Sequence, residues 1–227
     1  SGTNAGQMTG YTFRGIQVSD LFESIPPLAD VAEIELEEPY RLPSSCVNME
    51  AWLKLAQAVE KACDREDVDG VVITHGTDTM EETAFFLNLV LNTKKPVVLT
   101  GSMRPATAIS ADGYLNILNA VRVAASPLSY DRGVLIIMNG IINGARDTTK
   151  TNTLAVETFK ALEYGMLGYV VGDEIEFLTQ SLKPHTHQTE FSIDTIDNFQ
   201  SLPRVDIVYA HADDDGHGGQ NCDQGLV

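Results

Sequence analysis

Apolar and polar positions follow three distinct rhythms along this chain, and each rhythm predicts an element. From Asn48 the apolar residues Trp52, Leu55, Ala56, Val59 and Ala62 fall on one helical face, which predicts an amphipathic helix lying on a sheet. Val71, Val72 and Ile73 then form a continuous apolar run, the pattern of a strand buried on both sides. A polar turn (HGTDT) follows, and Thr79 to Glu82 fits a capping box at the start of the next helix. The order then repeats. Pro96 to Thr100 reads as a second buried strand, GSMRPATAISADG as its loop, and Tyr114, Leu118, Val121 and Ala125 as the next helical stripe. Residues 133–138 (GVLIIM) form a third buried strand.

The flanks are less regular. Residues 2–15 carry four glycines around Tyr11 and Arg14 without a period of either kind, which predicts a mobile loop. A short helix is expected over 19–25, capped by Ser19 and stopped by Pro26 and Pro27, with a strand near 31–36. Asn139-Gly140 and Asn143-Gly144 are tight-turn signals, and Gly172-Asp173 between YVV and EIEF marks a hairpin. Repeated strand, turn, helix order predicts an α/β fold: a mainly parallel sheet with helices on both faces. The expected division is one α/β domain over 1–209, ending within a strand-like VDIVYA, and over 210–227 an irregular tail or the start of an interdomain linker.

Composition narrows the partners. The chain has 227 residues, 43% of them hydrophobic, enough for one large globular domain. Its net charge of −17 argues against nucleic acid or an anionic membrane surface as the main partner. No apolar run reaches the length of a membrane span, and the first ten residues lack the pattern of a signal peptide. Cys46, Cys63 and Cys222 show neither paired nor metal-like spacing. The sequence opens without Met and closes on a tail rich in Gly and Asp, so both ends read as cut.

Candidate chemistry centres on two polar clusters, each downstream of a buried strand. In an open parallel sheet the loops at the carboxyl ends of strands form the ligand crevice, with helix N-termini aimed at it. Thr77 and Asp78 stand at such a turn. Taken alone, the turn is explained by helix capping through Asp78 or Thr79, worth about 1 kcal/mol. The second cluster, GARDTTKTNT, changes that reading because it sets Lys150 among Thr148, Thr149, Thr151 and Thr153. A threonine hydroxyl needs a neighbouring base to become a nucleophile, and a partly desolvated lysine can supply one. Thr77, Lys150 and Asp78 are therefore candidates for hydroxyl, base and orienting acid.

Other clusters read more simply. His185 and His187, and His211 with Asp213 to Asp215 and His217, lack the spacing of a known metal site and are expected as solvated loop, so no metal is assigned. His75 is expected as a packed, hydrogen-bonded support residue. Arg104 and Asp112 are expected in ion pairing at the surface or between subunits, with support of the site as the other reading. A nucleotide-binding module is disfavoured because neither GxGxxG nor GxxxxGK[ST] follows any predicted strand.

Taken together, VVITHGTDTMEET, TGSMRPATAISADGYLNILNAV and GARDTTKTNT resemble the bacterial L-asparaginases of the secreted, high-affinity kind, over about Tyr11 to Tyr209. The resemblance implies the N-terminal domain of the asparaginase fold. It implies an amidohydrolase that converts L-asparagine and water to L-aspartate and ammonia, with some L-glutamine activity, by threonine chemistry and without metal or organic cofactor. It also implies a homotetramer of the full-length form, in the periplasm or outside the cell, with the cytoplasm as the other location left open. Carried over by motif, Thr77 is the second catalytic threonine with Lys150 and Asp78 as partners, and Asp78 also holds the substrate ammonium. Tyr11 matches the tyrosine that closes over the substrate. Ser44 matches the serine that binds its carboxylate, and Ser45 stands where many members carry glutamine or a second serine. The family's first strand ends in a Thr-Gly-Gly-Thr-Ile run bearing the primary nucleophile, and that run is not in this sequence. The smaller C-terminal domain of the family has no counterpart here either. The chain as given is accordingly expected to lack most activity, the alternative being a relative that binds or assembles without catalysis.

Overall fold

The computed structural model describes residues 24–196 together with positions 203, 205 and 207. The loop expected over 2–15, all but two residues of the helix expected over 19–25, and most of VDIVYA lie outside the described residues. The described elements belong to one compact unit that runs to Thr195.

A six-stranded mixed sheet organises that unit, in the order β1, β2, β3, β4, β7, β8. Strands β1 (Val71–Thr74), β2 (Val97–Thr100) and β3 (Val134–Met138) run parallel. Strands β4 (Ile141–Gly144), β7 (Gly168–Val171) and β8 (Glu174–Phe177) extend it antiparallel. Strands β5 (Thr148–Lys150) and β6 (Phe159–Ala161) form a separate two-stranded ribbon. Both faces of the parallel part are covered, which is why its strands read as unbroken apolar runs. On one face Val97, Leu99, Val134, Ile136 and Met138 pack against helices α2 (Met49–Cys63) and α3 (Met80–Val90) through Leu55, Ala56, Val59, Met80, Ala84 and Leu87. On the other, Val98, Leu135 and Ile137 meet Ala120, Val123 and Ala124 of α4 (Gly113–Ala125).

The turns that join the antiparallel strands follow the sequence closely. Asn139 and Gly140 both have positive φ, 53° and 75°, as a two-residue I′ turn between β3 and β4 requires. Gly172, at φ 60°, turns β7 into β8.

Four expectations are corrected. Asn143-Gly144 is no turn: both residues pair within β4, and the buried Asn143 donates its side-chain amide to the Phe159 carbonyl at 3.1 Å, so ladder pairing overrides the local preference. No strand forms over 31–36. Leu28–Val31 is a short helix (α1) that starts directly after Pro26-Pro27, and Val31, Ala32 and Ile34 lean on Ile117 and Val121 without a neighbouring strand. Ala125 is exposed at the end of α4, whose buried stripe is displaced to Ile117, Ala120, Val121, Val123 and Ala124 because the helix serves two clusters at once. Finally, Asn48 caps α2 by accepting the Ala51 N–H, but the capping box expected at α3 is not formed.

Candidate active site

Strand register brings the carboxyl ends of the parallel strands to one edge, with Thr74 beside Thr100 and Thr100 beside Ile137. The turn 75–79 after β1 and the loop 101–112 after β2 both leave the sheet there. They approach closely: a Cβ on Gly101 would stand 2.5 Å from the His75 carbonyl oxygen. The loop keeps its shape through Asp112, whose carboxylate accepts the Met103 and Arg104 backbone N–H groups at 3.0 and 2.9 Å and the Asn116 amide at 3.1 Å. Arg104 donates to the Ser110 carbonyl at 3.1 Å, so these two side chains support a loop and do not pair with each other.

Thr79 is the residue before the first turn of α3, yet its hydroxyl does not bond back to its own helix. It donates to the Ser44 carbonyl at 2.8 Å, while Ser44 Oγ accepts the Asp78 N–H at 3.2 Å. The short helix Ser44–Cys46 is thus fastened at two points to the turn that carries Thr77 and Asp78. Gly76 makes room for this contact, since a Cβ there would sit 2.5 Å from Ser44 Oγ and 2.8 Å from Ser44 Cβ.

Lys150 arrives from the end of β5. Its Nζ lies 3.0 Å from Thr77 Oγ1 and 3.3 Å from Asp78 Oδ1. The Lys150 side chain is 15% exposed and that of Asp78 64% exposed, so the amine is sheltered and the carboxylate is open to an incoming cation. An ion pair with one partner so exposed adds about 0–1 kcal/mol to stability, so its placement matters more than its strength.

What holds Lys150 there is Glu81, in the first turn of α3. Glu81 Oε1 accepts the Thr149 hydroxyl at 2.9 Å and Oε2 accepts the Lys150 backbone N–H at 2.7 Å. Sequence reading passed over this residue. An acid in a first turn is already explained by the positive end of the helix, and nothing local links it to residues 149 and 150. Behind the turn, His75 has no free nitrogen: Nδ1 faces the Gly76 carbonyl at 2.7 Å and Nε2 the Thr83 hydroxyl at 3.0 Å. A carbonyl can only accept, so Nδ1 carries the proton and Nε2 takes the Thr83 hydroxyl, which itself accepts the Trp52 indole N–H at 2.8 Å. Burial holds this imidazole below its ordinary value.

Of the residues singled out from the sequence, Ser44, Thr77, Asp78 and Lys150 converge. Ser45 is exposed and makes no hydrogen bond to the set. Tyr11 lies outside the described residues. The PHTH segment departs from the solvated loop expected of it, since His185 is buried and His187 partly so.

Fold and site together define an α/β protein with a hydroxyl, a sheltered amine and an open carboxylate at the carboxyl edge of parallel strands. The family model described as "Asparaginase, N-terminal" matches residues 1–183, and the chain belongs to the asparaginase family. It is 46% identical over 204 residues to the probable periplasmic L-asparaginase of Haemophilus influenzae, covering 90% of this chain and 57% of that protein. It is 43% identical to L-asparaginase 2 of Escherichia coli, covering 93% and 59%, and 42% identical to the glutaminase-asparaginase of Pseudomonas fluorescens, covering 93% and 57%. The crystal structure of a probable cytoplasmic L-asparaginase from Campylobacter jejuni superposes with a TM-score of 0.86 at 41% identity, covering 91% of this chain and 65% of that one. The chain therefore spans under two thirds of the length of these relatives. Relatives named for the periplasm and for the cytoplasm both occur, and no helix among the described residues is long and apolar enough to cross a membrane.

Proposed function

We propose that this chain carries the proton-transfer and ammonium-binding half of an amidohydrolase site that releases ammonia from L-asparagine, with L-glutamine as a secondary substrate. One observation carries the proposal: Lys150 Nζ meets Thr77 Oγ1 at 3.0 Å and Asp78 Oδ1 at 3.3 Å across more than seventy residues of sequence. In this reading the Lys150 amine takes the Thr77 proton while Thr77 takes one from the attacking oxygen, and the proton is returned to the departing amide nitrogen as ammonia leaves. General base help of this kind is worth about 10² to 10⁴ in rate. Asp78, open to solvent on one side, receives the α-ammonium of the amino acid, and Ser44 fixes the Asp78 backbone and lines the carboxylate end. Tyr11 is assigned to closure over the substrate. The attacking hydroxyl is the one that the family resemblance gives to the Thr-Gly-Gly-Thr-Ile run, which this sequence does not contain. Exposed Leu154, Leu162 and Tyr164 around the β5–β6 ribbon support assembly with further copies of the chain.

Calorimetry with the purified chain tests the binding half directly. L-Aspartate should bind, ATP and NAD should not, and Asp78→Asn should weaken L-aspartate by about tenfold or more, the loss of one charge-assisted contact. Fusing the chain to the segments that its Haemophilus influenzae relative has in addition should yield ammonia from L-asparagine, and Lys150→Met should abolish it. Nucleotide binding without L-aspartate binding, or a fully active Lys150→Met fusion, would overturn the reading.

A further inference from the structure

At the other end of the sheet, where β2 and β3 begin, a second polar cluster stands apart from Thr77 and Lys150. Asp131 lies just before β3, with its backbone N–H donated to the Lys94 carbonyl at 2.8 Å; His185 and His187 flank Thr186 on a segment that Thr189 fastens to the Leu89 carbonyl of α3. One ligand-capable atom from each of Asp131, His185 and His187 falls within 4.8 Å of the others. We propose that these three side chains form a binding site for a divalent ion of Zn²⁺ character.

Four features support it. Asp131 Oδ1 is buried without a hydrogen-bond partner, one of only two such side-chain oxygens among the described residues, and the other, Ser129 Oγ, is two positions away in the same loop. The Asp131 side chain is 35% exposed as a whole, but this oxygen is shielded, and His187 Nδ1 at 3.6 Å stands beyond hydrogen-bond reach, so a cation between them would meet both. The nearest cation in sequence is occupied elsewhere: Arg132 donates to the Leu128 and Thr179 carbonyls at 2.6 and 3.2 Å and lies 3.9 Å over the Phe177 ring. The Asp131–His187 edge also fits. Asp131 Oδ1 and His187 Nδ1 are 3.6 Å apart, and in a tetrahedral site with Zn–O and Zn–N bonds of about 2.0–2.1 Å that edge measures about 3.3 Å and closes by a few tenths of an ångström; the edges to His185 lie within 4.8 Å. Lastly, the rings are held. His185 is only 6% exposed and lies against Gly133, where a Cβ would be 3.0 Å from His185 Cγ, and Thr186 Oγ1 sits 3.1 Å from His185 Nδ1. Two imidazoles and a carboxylate suit Zn²⁺ and leave its fourth position to water. Bound there, the ion ties the 185–188 segment to the amino edge of the sheet, far from the candidate active site, so its role is structural.

The test uses the whole chain after removal of metal by chelation, titrated with Zn²⁺ by calorimetry and with Co²⁺ by visible absorption. The His211 to His217 tail is a competing donor set and is controlled by the double variant His211→Gln, His217→Gln. Binding of one Zn²⁺ per chain is expected, retained in the tail variant and weakened in Asp131→Asn and in His187→Gln by at least the factor of about 10 to 100 that even outer residues of a metal site command. Intense Co²⁺ absorption bands in the parent chain report a four-coordinate site independently of any variant. The proposal is overturned if the parent binds no Zn²⁺, if Asp131→Asn and His187→Gln bind as the parent does, or if binding is lost with the tail histidines.

Discussion

Replacing Glu81 by Gln tests whether one carboxylate positions the Lys150 amine. Glu81 Oε1 and Oε2 accept from the Thr149 hydroxyl and the Lys150 N–H at 2.9 and 2.7 Å, so both carboxylate oxygens are in use. Glutamine keeps the shape but not the charge: its one oxygen can take the Lys150 N–H, and its NH₂ must then donate to a Thr149 hydroxyl that has turned to accept, so both bonds survive only as neutral ones. A hydrogen bond to a charged acceptor is worth about 1.5–3 kcal/mol and a neutral one about 0.5–1.5 kcal/mol, so the two bonds together lose about 1–3 kcal/mol. The lower figures suit this site, since Glu81 is only partly shielded. The direct readout is hydrogen exchange at the Lys150 amide under native conditions. A local loss of about 1–3 kcal/mol corresponds to exchange faster by about 5- to 150-fold at that amide. Ile136, in the centre of the sheet, serves as the reference, and its protection should fall only as far as global stability falls. Unchanged Lys150 exchange in a folded Glu81→Gln chain would refute the claim that this carboxylate holds β5 in place. A fall of equal size at Lys150 and Ile136 would refute it too, because the effect would then be global.

Three further outcomes follow from the same geometry. Gly76→Ala would place a Cβ 2.5 Å from Ser44 Oγ, so Ser44 must shift and loosen its bond to the Asp78 N–H; a loss of about 1–3 kcal/mol in urea unfolding is expected, along with weaker L-aspartate binding by calorimetry. Leu99→Ala removes a fully buried side chain from the centre of β2 and should cost about 2–5 kcal/mol by the same unfolding measurement. His75 is held below its ordinary value of 6.5 mainly by burial, with the Gly76 carbonyl opposing. The unfolded ring therefore gains its proton at a higher pH than the folded ring; the stability contributed by the neutral form is full above the unfolded value and lost as pH falls below it toward the folded one. Urea unfolding at about pH 7.5 and about pH 5.5 should show a larger loss for the parent chain than for His75→Gln.

The sheet was legible because the faces of its parallel strands are covered, fully at β2 and β3 and in part at β1: covered faces leave little place for polar residues, so VVIT, VVLT and VLIIM announce themselves as runs. The hairpin at Asn139-Gly140 was equally plain, since positive φ at both positions suits that residue pair. Legibility failed where a side chain satisfies a distant partner in place of a local one. Asn143 looks like a turn residue until Phe159 supplies a carbonyl for its amide. Thr79 and Glu82 look like a capping box until Ser44 takes the Thr79 hydroxyl. His187 looked like part of a solvated loop because nothing in the 55 residues between it and Asp131 tells that both reach the amino edge of the sheet. Thr77 and Lys150 were paired from the sequence by chemical type and by family motif, and the residue that makes the pairing physical, Glu81, carried a sufficient local explanation of its own. In each case a residue with an adequate local role has a second role set by tertiary pairing. The residues of this chain most worth testing are therefore those whose side chains cross between elements: Ser44, Glu81 and Asp131.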